Sequence, residues 1–262
     1  MIKSTNKPLI SVISVVFNGR DYIERTIESI ASQKTELVEY IIIDGGSSDG
    51  TVDIIFSRGD VIDHYVSEPD KGIYFAMNKG ANIARGEYLS FLNASDIYYP
   101  KTLDLIVSVI KKKNIDYISA PVDIVNSSEK ILSTLHPIKN FKYKEGSYMQ
   151  MPAPHMSVFL KKNIFHELGG YDLSFKLSSD FDLLLRLAKK DIKPFVLKNS
   201  VGSFMLGGAS GSYKIHFDNY KVLKKHKLPL MINLSKLLFY LFRWILSYLI
   251  PSTVKYFIIS KK

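Results

Sequence analysis

The 262 residues contain no cysteine. That excludes a disulfide framework and any cysteine-ligated metal. A hydrophobic leader is also missing, since Met1–Pro8 is short and polar without the apolar core of a secretory signal. The chain is therefore expected in the cytoplasm. Neither an internal repeat nor a low-complexity tract occurs, which excludes solenoids and fibrous arrays. Acidic residues nearly vanish from the C-terminal fifth. From Lys214 to Lys262 ten basic residues meet one acidic residue, Asp218, so this segment holds +9 of the net charge of +10. A near-neutral body with a basic tail predicts an anionic partner for the tail. What the chain has in quantity is apolar residues, at 46%, enough for one sizeable core or one domain with an appendage.

Apolar runs and periodic segments alternate. Leu9–Phe17, Tyr40–Asp44, Val61–Ser67, Tyr88–Leu92 and Ile115–Val122 read as strands rich in β-branched or aromatic residues. Between them, Asp21–Gln33, Thr51–Ser57, Ile73–Ala84 and Lys101–Lys113 read as helices, the last with Pro100 in its first turn. Further on, Lys130–Leu135, Met156–Leu160 and Lys193–Leu197 are expected strands. Lys162–Leu168 is an expected helix capped by Gly169-Gly170, and Asp180–Lys190 is one with Ser179 as its N-cap. This alternation predicts an α/β fold with a mostly parallel sheet sandwiched by helices. Ligands of such sheets sit beyond the carboxyl ends of the strands.

Carboxylates gather at those ends. Asp44 closes a buried strand before Gly45-Gly46-Ser47-Ser48-Asp49-Gly50. It can face a base or ribose in the crevice, or cap the turn, and Asp49 has the same choice. Asn93-Ala94-Ser95-Asp96 follows the fourth strand, where a carboxylate can hold a hard divalent cation against a diphosphate or serve as a turn residue. Asp180 and Asp182 open a later helix and point to different faces; acidic residues there also suit the helix dipole.

Taken together, SVVFNG at 14–19, IIIDGGSSDGT at 41–51, SEPDKGIYFAMNKGANIARGEYLSFLNASD at 67–96, HMSVFLKKNIFHELGGYD at 155–172 and SSDFDLLLRLA at 178–188 resemble the family 2 glycosyltransferases. The bacterial O-antigen, capsule and colanic-acid sugar transferases are of this kind. The resemblance runs from residue 9 to about 210 and implies a GT-A-type, Rossmann-like fold. It implies a catalytic domain over 1–213, with a nucleotide-binding half at about 9–122 and an acceptor half at 123–213. Phe17, Asn18, Asp44, Glu68, Asp70, Gly72 and Asn93 would serve the donor nucleotide. His155 and Asp182 would lie toward the acceptor or sugar, Asp96 would bind a divalent cation (Mn2+ or Mg2+), and Asp180 would be the catalytic base of an inverting transfer. His155 can equally be a general acid or a packed turn residue, and Asn78 a structural one. The metal motif departs from the family's usual Asp-x-Asp, with Asn93 and Ser95 at the carboxylate positions. That departure puts metal dependence in doubt and keeps a non-catalytic assembly subunit open. A sugar-phosphate nucleotidyltransferase is the other alternative, but Phe-Asn-Gly-Arg stands where its basic glycine-rich loop belongs.

The tail, 214–262, joins the basic residues to an apolar run. Met231–Ile250 carries only Lys236 and Arg243, and Asn233, Lys236, Tyr240, Arg243 and Ser247 form one polar stripe on a helix. Two charges at mid-helix make a span costly. An interfacial helix on an anionic membrane fits better, and packing on protein is the alternative. Nucleic acid is not expected, because the cations flank an apolar helix rather than line a polar groove. The partners expected are a nucleotide-diphosphate sugar, a lipid-linked saccharide acceptor and the inner face of the plasma membrane.

Overall fold

The computed structural model describes residues 7–139, 141, 151–205, 214–227 and 238. Four parallel strands form its centre: β1 (Ile10–Val16), β2 (Val38–Asp44), β3 (His64–Ser67) and β4 (Tyr88–Phe91), separated by α1 (Ile23–Ala31), α2 (Thr51–Ser57) and α3 (Ile73–Ile83). Every residue of β1 and β2 is buried, because helices cover both faces. Period two sorts the side chains. Ile10 and Val12 join the apolar layer of Ile23, Ile27 and Ile30 of α1. Ile13, Val15, Ile41 and Ile43 join that of Met77 and Ala81 of α3. Gly80 lets α3 lie flat on the sheet: a Cβ there would stand 2.5 Å from the Ile13 side chain.

After β4 come β5 (Ile97–Tyr98), α4 (Thr102–Lys112), β6 (Tyr117–Ser119), β7 (Val122–Val125) and β8 (Ile131–Leu135). A 3-10 turn at His155–Ser157 then leads to β9 (Phe159–Lys161) and α5 (Lys162–Glu167). The described chain continues through α6 (Ser179–Lys189), β10 (Pro194–Val196), β11 (Gly202–Met205) and α7 (Lys214–Lys225). The seven-stranded sheet runs β10-β6-β9-β4-β1-β2-β3, parallel except for β9, which is antiparallel to both neighbours. The expected mostly parallel α/β sheet is therefore present.

Four details differ from the sequence reading. The strand expected over Ile115–Val122 breaks at Ala120-Pro121, since proline has no N–H for a ladder; β6 stays in the main sheet and β7 enters a second one, ordered β5-β11-β7-β8. Pro100 precedes rather than opens α4, with Lys101 in the left-handed region between them. The strand expected at Met156–Leu160 is a 3-10 turn before it becomes β9. At α6 the capping position is Ser178, and neither its hydroxyl nor that of Ser179 caps the helix.

The start of the basic segment is built into the folded body. Val222 and Leu223 of α7 pack with Phe175, Phe181 and Leu185, and the buried Asp218 accepts the Leu177 N–H at 2.7 Å. The apolar run 231–250 lies outside the described residues, Leu238 excepted, as does the glycine-rich stretch at 207–211. Among the described residues no helix is long and apolar enough to cross a membrane.

Candidate active site

Strand register gathers the site. Val16, Asp44 and Ser67 are paired neighbours across β1, β2 and β3, so the segments that follow them leave the sheet side by side. The first two are laced together. Asn18, at φ +49, donates its N–H to Ser47 Oγ at 2.7 Å and accepts the Ser48 N–H on Oδ1 at 3.0 Å. The Gly19 N–H reaches Thr51 Oγ1 at 2.9 Å, and the Arg20 N–H reaches Asp49 Oδ2 at 3.1 Å. The hydrogen bonds from Thr51 hold the Asp49 carboxyl below its ordinary range. The result is a fixed cradle of backbone at the strand ends. Phe17 stands on it with 65% of its surface exposed, a free aromatic face beside Gly45, where an added Cβ would lie 3.4 Å from the Phe17 ring and 2.9 Å from Asp70 Oδ2.

Asp44 itself differs from the expectation of a ligand contact. It is wholly buried, and both oxygens are taken within the cradle. Oδ2 accepts from the Gly46 N–H (3.1 Å), the Ser47 N–H (3.0 Å) and Ser67 Oγ (2.6 Å), and Oδ1 from the Ser47 hydroxyl. Asp44 ties the ends of β2 and β3 to the Gly46–Ser47 turn. On the next loop, Asp70 Oδ1 accepts the Gly72 N–H at 2.7 Å, and Gly72 opens α3 at φ +120, a conformation that favours glycine. Glu68 pairs with Lys79 of α3.

Beyond β4, Thr26 Oγ1 donates to the carbonyls of Ala94 and Asp96, each at 2.8 Å, and fixes the Asn93–Asp96 turn to α1. Burial pushes the Asp96 carboxyl up to about 7, against weaker opposing hydrogen bonds from Ser95 and Asn93. Asn93 Oδ1 is buried without a hydrogen-bond partner. An orphaned amide oxygen beside a carboxyl is a hard-oxygen pair of the kind that Mg2+ or Mn2+ takes when phosphate oxygens complete the shell. The residues present therefore fit such a cation, although no cluster of three His, Cys, Asp or Glu occurs among the described residues.

The opposite wall comes from α6. Asp180, half-buried at the first turn, accepts the Tyr74 hydroxyl at 2.7 Å and the Phe181 N–H at 2.9 Å, both on Oδ1. Beneath it lies an aromatic cluster. Tyr74 and Tyr171 are 5.2 Å apart at their centroids, His155 stacks on Phe91 at 5.8 Å, and His155 Nε2 meets the Tyr171 hydroxyl at 2.6 Å. Burial lowers the His155 pKa, with the Asp180 charge partly opposing, so its ring is neutral at pH 7. That is a packed and positioned histidine. Asn78 is structural: its amide donates to the Tyr171 carbonyl (2.8 Å) and accepts the Tyr171 N–H (2.9 Å), tying α3 to the turn before α6.

Asp182, expected near the acceptor, points the other way. It is fully buried, ion-paired with Arg186 (2.7 Å) and Lys225 (2.8 Å), and hydrogen-bonded to His226 Nε2 (3.0 Å). Burial raises its pKa, but the hydrogen bonds and positive charges outweigh that and hold it at about 2. Its place is to lock α6 onto α7. The sequence reading missed Tyr74 and Tyr171 as site residues. Both fall inside quoted motifs, but only the fold brings them to Asp180.

Residues 11–169 match the description Glycosyl transferase family 2. An uncharacterized glycosyltransferase of Mycobacterium tuberculosis is 30% identical over 188 residues, covering 70% of each chain. One of Rickettsia typhi is 28% identical over 196 residues, 72% of this chain and 61% of that protein's length. A PGL/p-HBAD biosynthesis glycosyltransferase of Mycobacterium bovis is 29% identical, covering 68% and 69%. Among solved structures, S. aureus TarS 1-349 in complex with UDP-GlcNAc superposes with a TM-score of 0.66 at 18% identity, covering 89% of this chain and 71% of that one. The mannosyltransferase PcManGT of Pyrobaculum calidifontis, in complex with GDP-Man and Mn2+, gives 0.62 at 16% identity, covering 85% and 64%. At those identities the structures speak for the GT-A fold alone; the sequence match speaks for more. The chain belongs to glycosyl transferase family 2 and is a glycosyltransferase.

Proposed function

We propose that this enzyme moves one sugar from a nucleotide-diphosphate donor to a hydroxyl of a lipid-linked saccharide, inverting the anomeric centre, with Asp180 as general base. The observation that carries the reading is the placement of Asp180. Its partner Tyr74 opens α3 at the carboxyl-end rim of the sheet, where the Asn18–Thr51 cradle also lies. A base and a nucleotide floor on one rim are what a transfer from nucleotide to hydroxyl needs. The donor-bound neighbours, with UDP-GlcNAc and GDP-Man, support a nucleotide-sugar donor.

In the reaction, Phe17 offers its ring to the base, and the cradle and Asp70 border the ribose and diphosphate. Asp180 accepts the proton of the acceptor hydroxyl as that oxygen bonds to the anomeric carbon. The bond from that carbon to the diphosphate oxygen breaks on the opposite side, and the nucleoside diphosphate leaves with the electron pair. Asp96 and Asn93 are the residues that would hold a divalent cation, whose chemistry is to neutralise charge on the leaving diphosphate.

The proposed acceptor and place in the cell draw support from the tail and from a relative. The +9 segment at 214–262, with its apolar run, favours work at the inner face of the plasma membrane, on a lipid-borne glycan of the O-antigen or capsule class. The M. bovis relative named for PGL/p-HBAD biosynthesis is in keeping with a lipid-borne product. Asp180→Asn tests the chemistry. Turnover is expected to fall about a thousandfold, within the 10²–10⁴ that a positioned acid–base group typically contributes, while calorimetric binding of UDP or GDP stays intact. Retained turnover removes Asp180 from the role. Titrating UDP, GDP and dTDP with and without Mn2+ identifies the donor base and the cation's part together.

A further inference from the structure

The two oxygens of Asp180 are not equivalent. Oδ1 receives both hydrogen bonds described above, from Tyr74 and from Phe181. Oδ2 has none among the described residues. The donor that makes the difference is anchored far from α6 in sequence. Tyr74 is buried, and its helix is held by Gly80 against Ile13 and by the Asn78 clamp on Tyr171. Burial and the neighbouring Asp180 charge drive the Tyr74 phenol far above its ordinary range, so at neutral pH it holds its proton and donates to Asp180.

We propose that Tyr74 is a positioning residue for the transfer: it saturates Oδ1, locks the Asp180 side chain and leaves Oδ2 as the oxygen that takes the acceptor proton. The inference rests on the reading of Asp180 as base. The proton passes from the acceptor hydroxyl to Oδ2 while the new glycosidic bond forms and the diphosphate departs, and Tyr74 keeps its own proton throughout. Among the described residues, the titratable groups facing Asp180 are Tyr74 on α3, Tyr171 on the α5–α6 connection and His155 on the 3-10 turn. Of these, Tyr74 alone touches the carboxylate, because His155 and Tyr171 are bonded to each other.

A hydrogen bond donated to a carboxylate favours its ionised form. Tyr74→Phe in the full chain should therefore raise the pH at which Asp180 titrates. This can be followed by carbon NMR of 13C-carboxyl aspartate, with the resonance assigned through Asp180→Asn. Tyr171→Phe removes a hydroxyl of the same cluster that bonds His155 instead, and should leave that pH unchanged. For whichever of UDP-GlcNAc or GDP-mannose the wild type turns over, Tyr74→Phe should lower kcat about tenfold with donor affinity preserved. An unmoved Asp180 titration in Tyr74→Phe, or an equal shift in both variants, overturns the inference. Failure of the base reading is a separate outcome, since it appears as turnover surviving in Asp180→Asn whatever the titration does.

Discussion

Asp182 sits at zero exposure between two cations, Arg186 and Lys225, with His226 hydrogen-bonded beside them, and its depressed pKa ties stability to pH. A carboxyl held at about 2 in the folded protein and near 3.9 when unfolded stabilises the fold fully above pH 4. That contribution is lost as the pH falls from about 4 to about 2. The shift corresponds to about 3 kcal/mol. Urea unfolding at pH 7 and pH 3 should show the loss in wild type and a smaller one in Asp182→Asn. Breaking the buried cluster outright by Asp182→Ala should cost about 3 kcal/mol at pH 7. At this scale the sequence was readable in part. Asp180 was singled out because its motif and its place at a helix start agree, and its role as base is the proposed one. Asp44 was not: a carboxylate after a strand serves a ligand or its own turn equally well, and the choice fell to Ser47 and Ser67, one of them on another strand. Asp182 was misread because Lys225 and His226, which claim it, lie more than 40 residues away in what looked like a separate tail.

Secondary-structure elements divide in the same way. The strands of the main sheet that were plain in the sequence, β1 and β2, are seven-residue strands with apolar centres, buried on both faces. The second sheet was not foreseen as a sheet. β5 has two residues and β11 four, too few to show a period, and they pair across some hundred residues of chain. That pairing matters for the site, because β5 begins one residue after Asp96. Gly202 permits it, since a Cβ there would stand 2.2 Å from the Ile97 carbonyl oxygen, and backbone cannot step aside as a side chain can. Gly202→Ala is expected to cost about 2 kcal/mol and to loosen the Asp96 turn. Weaker Mn2+ binding in calorimetry, with nucleotide binding kept, would be its signature; unchanged stability would show that β5 can shift freely. At α7 the link is apolar. Val222, fully buried against Phe181 and Leu185, should cost about 2 kcal/mol when cut to alanine, with a lower thermal midpoint as the measure.

Across the whole molecule, the charge of the sequence is uneven, in keeping with the proposed division between two tasks, transfer by the body and membrane contact by the tail. The body to residue 213 is close to neutral, and the basic excess begins with α7. One of the α7 cations is already spent inside the protein, because Lys225 holds Asp172 and Asp182. Residues 228–262 carry Lys236, Arg243, Lys255, Lys261 and Lys262 and no acidic residue. Each cation near an anionic bilayer contributes about 1 kcal/mol, beside the burial of the apolar run. A chain ended after Lys227 therefore separates the two tasks, since it keeps α7 on α6 and removes the rest. It should bind the donor nucleotide as the full chain does, with the thermal midpoint within a few degrees. The full chain should sediment with phosphatidylglycerol vesicles and be released largely by 0.5 M salt, and the shortened chain should stay in the supernatant. If both chains stay in the supernatant while the shortened one alone loses stability or changes its oligomeric state, the apolar run covers protein and not lipid. The acceptor must then reach the Asp180 rim without the enzyme resting on the membrane.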